Sequence, residues 1–388
     1  MRPTTIRILV LALTLVMARP ALAQMVSPEV IADYQRRLAE YQAVHDAYEA
    51  GASAYWSAIA EKRRGRNAKR REHQPIALDD YVLTQPPVYT GPRRPLNPVP
   101  EPEPEATPHP KKVIPVVADL LQAASDYFRW TPQRPASELD FKRAYARFAA
   151  ASGLTREQAV RVYAFETGGN GYHDMQAGLS SWRPGAHAIS TAIGYNQLLT
   201  TNSVELIAER GPLFVKILTG RAAQLSGPAR QAMDTKIAVL RQMVAIARSV
   251  PDEWSEHEKI GDTPQGWALH AMVLDIDVGP MLQTHKLLTS VLFARAKGYS
   301  RPLSAAELEM MNLTGDSTGL DMVTMPPDMR EQVPTANFFQ RSGYERNPVA
   351  SRNNTVARLL AVTDARMDAN STLPGARELA AAFLAPAN

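Results

Sequence analysis

The chain has 388 residues, 45% of them hydrophobic and 21% charged, with 30 prolines and no cysteine. The lack of cysteine excludes a thiol nucleophile, a lipid-modified cysteine and a disulfide framework, so stability rests on ordinary burial. The formal charge of +4 falls to +1 once residues 1–23, with three arginines and no acid, are set aside. That removes bulk charge as a ground for nucleic-acid binding, and no nucleic-acid partner is expected.

Residues 1–23 have the three parts of a secretory signal. Arg2 and Arg7 give a basic start, Ile8–Ala18 an apolar stretch, and Ala21-Leu22-Ala23 a small-residue cleavage site before Gln24. The apolar stretch is too short for a bilayer core of about 30 Å. No later stretch is apolar enough to span, so the expectation is a mature chain without a membrane span. Export without disulfides fits a bacterial periplasm.

Residues 24–84 read as a helical arm. Ser27 caps a helix with Pro28 in its first turn. Apolar residues then recur at Ile31, Tyr34, Leu38, Tyr41, His45, Tyr48, Ala52, Tyr55 and Ile59, a heptad stripe rich in tyrosine. Such a stripe predicts a hairpin or coiled-coil stalk. Self-association, or docking of an envelope protein, through residues 27–60 is the expected use. An aromatic stripe that stacks on sugars is the alternative, and Gly51 interrupts the pattern. The basic run Lys62–Arg71 reads as a solvated helix end, or as a patch drawn to an anionic envelope.

Residues 85–111 are proline-rich and predict an extended, semi-rigid linker. Residues 112–388 then read as one almost entirely helical domain. Helices are predicted over Val113–Trp130, over Ser137–Gly153 with a serine start and glycine stop, and from a Thr155–Gln158 capping box to Gly168-Gly169. Others begin at Ser203–Arg210 and cover Pro228–Val250, Gly266–Leu274, Pro280–Lys297, Ser304–Met311, Asn354–Met367 and Pro374–Leu384. A small hairpin is plausible only between Asn170 and Asn196.

Glu166 ends the helix VRVYAFETGG, with Val162 and Tyr163 one turn back and Phe165 beside it. Apolar neighbours and the negative end of the helix dipole both penalise its ionised form, as a general acid requires. A surface glutamate at a frayed helix end is the bland alternative. Downstream, Gly194-Tyr195-Asn196-Gln197 puts a glycine, an aromatic ring and two amides in one turn. Glycine permits close approach of a ligand, and amides orient polar substrates such as an N-acetyl sugar. A third helix, Ala305–Asp316, ends in Asn312 and Gly315.

Together these pieces resemble an atypical lytic transglycosylase of the lysozyme-like superfamily, over roughly Thr155–Tyr344. The family's helix-ending glutamate falls on Glu166-Thr167-Gly168-Gly169, and its glycine–hydrophobic–methionine–glutamine turn on Gly194–Gln197. Its later asparagine falls on Asn312, and its late tyrosine has a counterpart in Tyr344. Thr167, Asn196 and Met311 depart from the family's serine, methionine and tyrosine. The loop from Gly169 to Ala192 and the insertion Gly211–Asp262 are unlike compact members.

The resemblance implies a lysozyme-like helical domain with a small hairpin or loop lobe, acting on peptidoglycan glycan strands as a glycosidic-bond lyase. Glu166 would act as the single acid and base, first protonating the oxygen between N-acetylmuramic acid and N-acetylglucosamine. It would then deprotonate the muramic 6-hydroxyl to close a 1,6-anhydro ring, with the substrate's acetamido group stabilising the cation. Gly194, Tyr195, Asn196, Gln197, Asn312 and Tyr344 are the substrate-binding candidates. Asp174, Glu205 and Asp316 are candidates for a second carboxylate, each also readable as a cap or surface acid. A glycan-binding scaffold without catalysis and a hydrolysing muramidase are the alternatives. No cofactor is expected, and His173, His187, His270 and His285 lack metal-binding spacing.

Overall fold

The computed structural model describes residues 26–99, 113–179 and 185–384. The predicted signal and the later part of the proline-rich segment lie outside these residues. The described chain is mainly helical, with no strand and no helix long and apolar enough to cross a membrane. It divides into two compact units, one of residues 26–53 and 87–99, the other of residues 54–86, 113–179 and 185–384. Helix α1 (Pro28–Arg71) contributes to both.

In the first unit the tyrosine stripe has a partner within the same chain. The ring of Tyr89, in the proline-rich segment, stands 5.3 Å from Tyr48, 5.7 Å from His45 and 6.4 Å from Tyr41. The Tyr89 hydroxyl donates to the Pro92 carbonyl at 2.6 Å, folding the segment on itself. Gly91 is needed there, because a Cβ would lie 2.5 Å from the Val44 side chain. Extended proline-rich backbone needs no internal hydrogen bonds, so it can line a helix face with rings and methylenes alone.

The second unit contains the rest. Its helices are α2 (Val117–Phe128), α3 (Glu138–Ser152), α4 (Arg156–Thr167), α5 (Thr200–Ala222), α6 (Gly227–Ala247), α7 (Trp254–Gly261), α8 (Pro264–His270) and α9 (Val278–Ala296). After them come α10 (Ala305–Thr314), α11 (Asp316–Thr324), α12 (Pro327–Gln332), α13 (Arg341–Glu345), α14 (Pro348–Arg352), α15 (Val356–Ser371) and α16 (Pro374–Ala382). The caps read from sequence are in place. Ser137 accepts the Asp140 N–H, Gly153 and Gly168 adopt the left-handed conformation, and Thr155 with Gln158 closes a reciprocal capping box.

Helix α5, read from sequence as beginning at Ser203–Arg210, runs on through Gly211-Pro212 to Ala222. Proline has no N–H for the Ala208 carbonyl four residues back. Arg248 Nε donates to that carbonyl instead, at 2.6 Å, so the helix continues. Gly211 lets Val244 of α6 approach, to 2.3 Å from where a Cβ would stand. Between residues 170 and 198 the backbone forms isolated antiparallel bridges, Gln176 with Ile193 and Ile193 with Leu198, and no strand among the described residues.

Two hydrophobic cores meet on α9. Leu287, Leu288 and Val291 join a core built from α3, α4, α10, α15 and α16. Val278, Met281 and Leu282 join one built from α2, α5, α6 and α8. Helix α9 is thus buried nearly all round, as an apolar sequence without a wet face must be. Its polar residues Gln283, Thr284 and His285 are buried with it.

The C-terminal part of α1 is fastened to the second unit through its basic run. Arg66 is 1% exposed and pairs with Asp321 at 3.1 Å. It also donates to the Asp80 carbonyl at 3.0 Å, and its guanidinium lies 4.2 Å from the centre of the Tyr81 ring. Tyr81 in turn donates to Asp321 at 2.9 Å. The run read as solvated therefore has one member wholly inside. Leaving a buried ion without its partner costs about 3–5 kcal/mol, whereas replacing both by apolar residues costs far less. Asp321→Ala is expected to lower the urea unfolding free energy by about that amount. The double variant Arg66→Met with Asp321→Leu should recover most of the loss.

Candidate active site

The last turn of α4 presents Glu166. Thr167, next in sequence, turns inward and donates its hydroxyl to the Tyr163 carbonyl at 2.7 Å, so it finishes the helix. Gly168 and Gly169 follow with φ of 66° and 79°. At Gly169 a Cβ would lie 2.3 Å from the Asn370 carbonyl oxygen, so only glycine lets α15 approach here. The Asn370 amide meanwhile donates to the Ala164 carbonyl, bracing the helix end.

Glu166 is partly exposed as a residue, but its carboxyl is buried where it meets α10. Asn312 Nδ2 donates to Glu166 Oε1 at 3.0 Å and, more weakly, to Glu309 Oε2 at 3.4 Å. Glu309 lies three residues before Asn312 on the same helix and is 2% exposed. The one amide nitrogen of Asn312 thus bridges the Glu166 and Glu309 carboxyls. Burial pushes Glu166 above the usual carboxylate range, against the pull of Lys286, Asn312, Glu309 and Arg366. Burial, reinforced by the Glu166 charge, pushes Glu309 well above that range. Lys286, from α9, is drawn below the usual lysine range by burial, while Glu205, Glu166, Glu309 and Asp316 pull it back.

Asn312 and Lys286 line an open cleft of about 490 Å³, with Glu205, Trp254, Met311 and Asp316. Trp254, at the start of α7, is 46% exposed there. It lies in the long insertion, which therefore supplies part of the cleft wall. Ser290 donates to Asp316 at 2.5 Å, and burial raises both Asp316 and Glu205 above the usual carboxylate range. Larger hollows of about 800 Å³ and 1000 Å³ are lined by residues such as Arg70, His73 and Lys297, or Arg143, Arg147 and Phe383. Neither includes Asn312 or Lys286.

The other sequence candidates lie elsewhere. Tyr195 is fully buried, with ring centres of Tyr163, Phe141 and Tyr145 at 4.8, 5.2 and 5.4 Å. Its hydroxyl donates to Glu138, which also accepts from the backbone and ring of His173. Asn196 is equally buried. Its backbone N–H donates to Gln283 Oε1 at 2.8 Å, and its side-chain amide to the Gln283 carbonyl at 2.7 Å. Gly194, at φ 83°, leaves no room for a Cβ, which would lie 2.1 Å from Gln283 Nε2. Gln197, at φ 46°, spends its amide nitrogen on the Gly194 carbonyl at 2.8 Å. The glycine in this turn admits α9 rather than a ligand, and Tyr195 and Asn196 are spent inside the protein. Tyr344 is also buried, 5.7 Å from the Trp56 ring, and Asp174 pairs with Arg134 at 2.5 Å. Of the candidates, the structure brings Glu166 and Asn312 into contact and sets Glu205 and Asp316 on the same cleft.

The sequence reading passes over Glu309, Lys286 and Trp254. Glu309 and Lys286 each carried a signal: an ionisable residue inside an apolar run, ELEMM and HKLLTSVLF. Trp254 carried none beyond being a tryptophan. Among the described residues no group of three or more His, Asp or Glu could hold a metal ion.

A buried hydroxyl–imidazole pair supports the cleft wall from behind. Ser203 Oγ and His270 Nδ1 are 2.7 Å apart, and His270 Nε2 lies 3.0 Å from the Thr191 carbonyl. That carbonyl only accepts, so Nε2 carries the proton and Nδ1 accepts from Ser203. The arrangement joins α5, α8 and the Ala192 turn. No known protein-family model, curated protein or solved structure matches the chain.

Burial holds the folded His270 pKa at about 4, below the ordinary imidazole value of 6.5. Between those values the unfolded chain binds a proton that the folded chain excludes. The His270 contribution is therefore fully present above about pH 6.5 and is lost as pH falls toward 4. The loss is on the order of 3 kcal/mol. Urea unfolding at stepped pH should show that decline. In His270→Gln the decline across the same window should be shallower, and an unchanged slope would contradict the assignment.

Proposed function

We propose that the chain is a peptidoglycan lytic transglycosylase of lysozyme-like fold, working in the periplasm, with Glu166 as its single acid and base. The observation that carries the reading is a glutamic acid at a helix end whose carboxyl accepts from Asn312, a residue of the wall of an open cleft that Glu166 itself does not line. Glu166 begins protonated, because burial favours its neutral form, and gives its proton to the bridging oxygen as the glycosidic bond breaks. The acetamido group of the muramic residue stabilises the cation at C1. Ionised Glu166, steadied by Asn312 and facing Lys286, then takes the proton of the 6-hydroxyl, whose oxygen closes onto C1. Proton balance is kept and water is not consumed.

The exposed face of Trp254 suits stacking on a sugar ring, and the amide of Asn312 fixes which carboxyl oxygen of Glu166 is free. Self-association or docking of an envelope protein through residues 27–60 belongs to the same proposal. A hydrolysing muramidase is the second reading, favoured by Glu205 and Asp316 on the cleft, either of which could activate a water. The mature chain and a Glu166→Gln variant should be incubated with purified sacculi and the soluble products weighed. Anhydromuropeptides from the native chain, falling at least about 100-fold in the variant, are expected. Products with reducing muramic ends would establish the hydrolase. Binding without products would mean a glycan-binding scaffold.

A further inference from the structure

Glu309 has no role in the reaction as written, yet it is the more deeply buried of two carboxyls in contact. Two carboxyls brought to the same amide nitrogen, one of them 2% exposed, cannot both ionise without strong repulsion, so one keeps its proton. Exposure decides where it rests. Glu309 is 2% exposed, whereas Glu166 is only partly buried as a residue. An ion is tolerated better where water reaches it.

The surrounding charges agree. Lys286 from α9 acts on both carboxyls and Arg366 from α15 on Glu166, while Asp316 of α11 and Glu205 of α5 act on Lys286 in turn. Arg366 itself lies 5.0 Å from the Phe165 ring. Arg161, on the same helix as Glu166, is occupied by Asp364 and Asp368 at 2.7 Å each. Lys286, held among four acids, offsets one negative charge on the pair more readily than two.

We propose that Glu309 is a positioning residue that stays protonated through the reaction and donates its O–H to the Glu166 carboxylate. The inference rests on the lytic transglycosylase reading only for its catalytic consequence; the hydrogen bond itself does not depend on it. Before the reaction both acids are neutral. When Glu166 gives up its proton, the charge left behind meets donors already in place, Glu309 O–H and Asn312 N–H. When Glu166 recovers a proton from the 6-hydroxyl, Glu309 is unchanged. A neutral acid thus supplies what a second carboxylate could not, because an ionised Glu309 would repel the charge that Glu166 must acquire.

The sign of one shift tests this. Carboxyl-labelled glutamate allows the Glu166 titration to be followed by carbon NMR in the full chain, with Glu166→Gln identifying the signal. In Glu309→Met the donor is lost and the Glu166 titration should move up by about one pH unit, the worth of a charge-assisted hydrogen bond. In Glu309→Gln the amide N–H replaces the donor, and the titration should stay within about 0.3 unit of the native value. If Glu309 is ionised instead, both variants remove a like charge and the titration moves down, which overturns the proposal.

Should neither variant fold, the labelled Glu166→Gln chain still decides. With Glu166 gone, an infrared carbonyl band from a protonated, buried glutamic acid persists at pH 7 if the proposal holds, and its absence refutes it. Activity on sacculi adds an independent reading. Glu309→Gln should retain most of kcat, and Glu309→Met should lose it at unchanged KM. A titration that behaves as proposed in a chain that cleaves nothing would sink the functional reading alone.

Discussion

Helix α9 is the constraint on which the second unit depends. It is shared by two cores that otherwise have separate walls, so neither can repack without moving it. Its one buried amide, Gln283, receives the Asn196 N–H and carbonyl-bonds the turn that follows the loop. Three residues on, the same helix delivers Lys286 to the acids of α4 and α10. The geometry at Glu166 is therefore set less by the loop beside it than by a helix sealed from water along most of its length.

Sealing has an electrostatic consequence. Each ionisable group brought to this point is desolvated, and each responds by favouring its neutral form, the acids upward and the lysine downward. Among the described residues Lys286 is the only cation on the cleft wall, which it shares with Glu205, Glu209 and Asp316, and it also feels the charges of Glu166 and Glu309. A cluster of four acids about one lysine cannot be fully ionised at neutral pH without strong mutual repulsion. The same arithmetic that makes Glu166 a credible acid makes Glu309 a poor anion.

Most helices were legible because their ends are chemically marked: Ser137 and Gly153, Thr155 with Gln158, Ser304 with Glu307. Only the start of α5, at Ser203–Arg210, was legible. The residue that carries the helix past Pro212, Arg248, lies a helix away and leaves no local mark. The tyrosine stripe was legible as one face of a hairpin or stalk, but nothing in the heptad pattern points to Tyr89, some forty residues on, as the ring that packs on it. Glu166 with Asn312 was recoverable because each stands at a marked helix end. Tyr195 and Asn196 misled because a turn that packs against a helix uses the same residue types as one that binds a sugar. Glu309 was hidden by its setting, since a carboxyl in an apolar run looks like a surface position out of phase until the facing carboxyl is placed.

The central claim is that Glu166 serves as acid and then base on one substrate, with the 6-hydroxyl rather than water as nucleophile. Cleavage of sacculi in water enriched in oxygen-18 tests it most directly. The account predicts muropeptide products whose newly formed muramic ends carry no heavy oxygen. Incorporation of one heavy oxygen at each cleaved end would contradict it, and would place a water-activating carboxylate in the cleft instead.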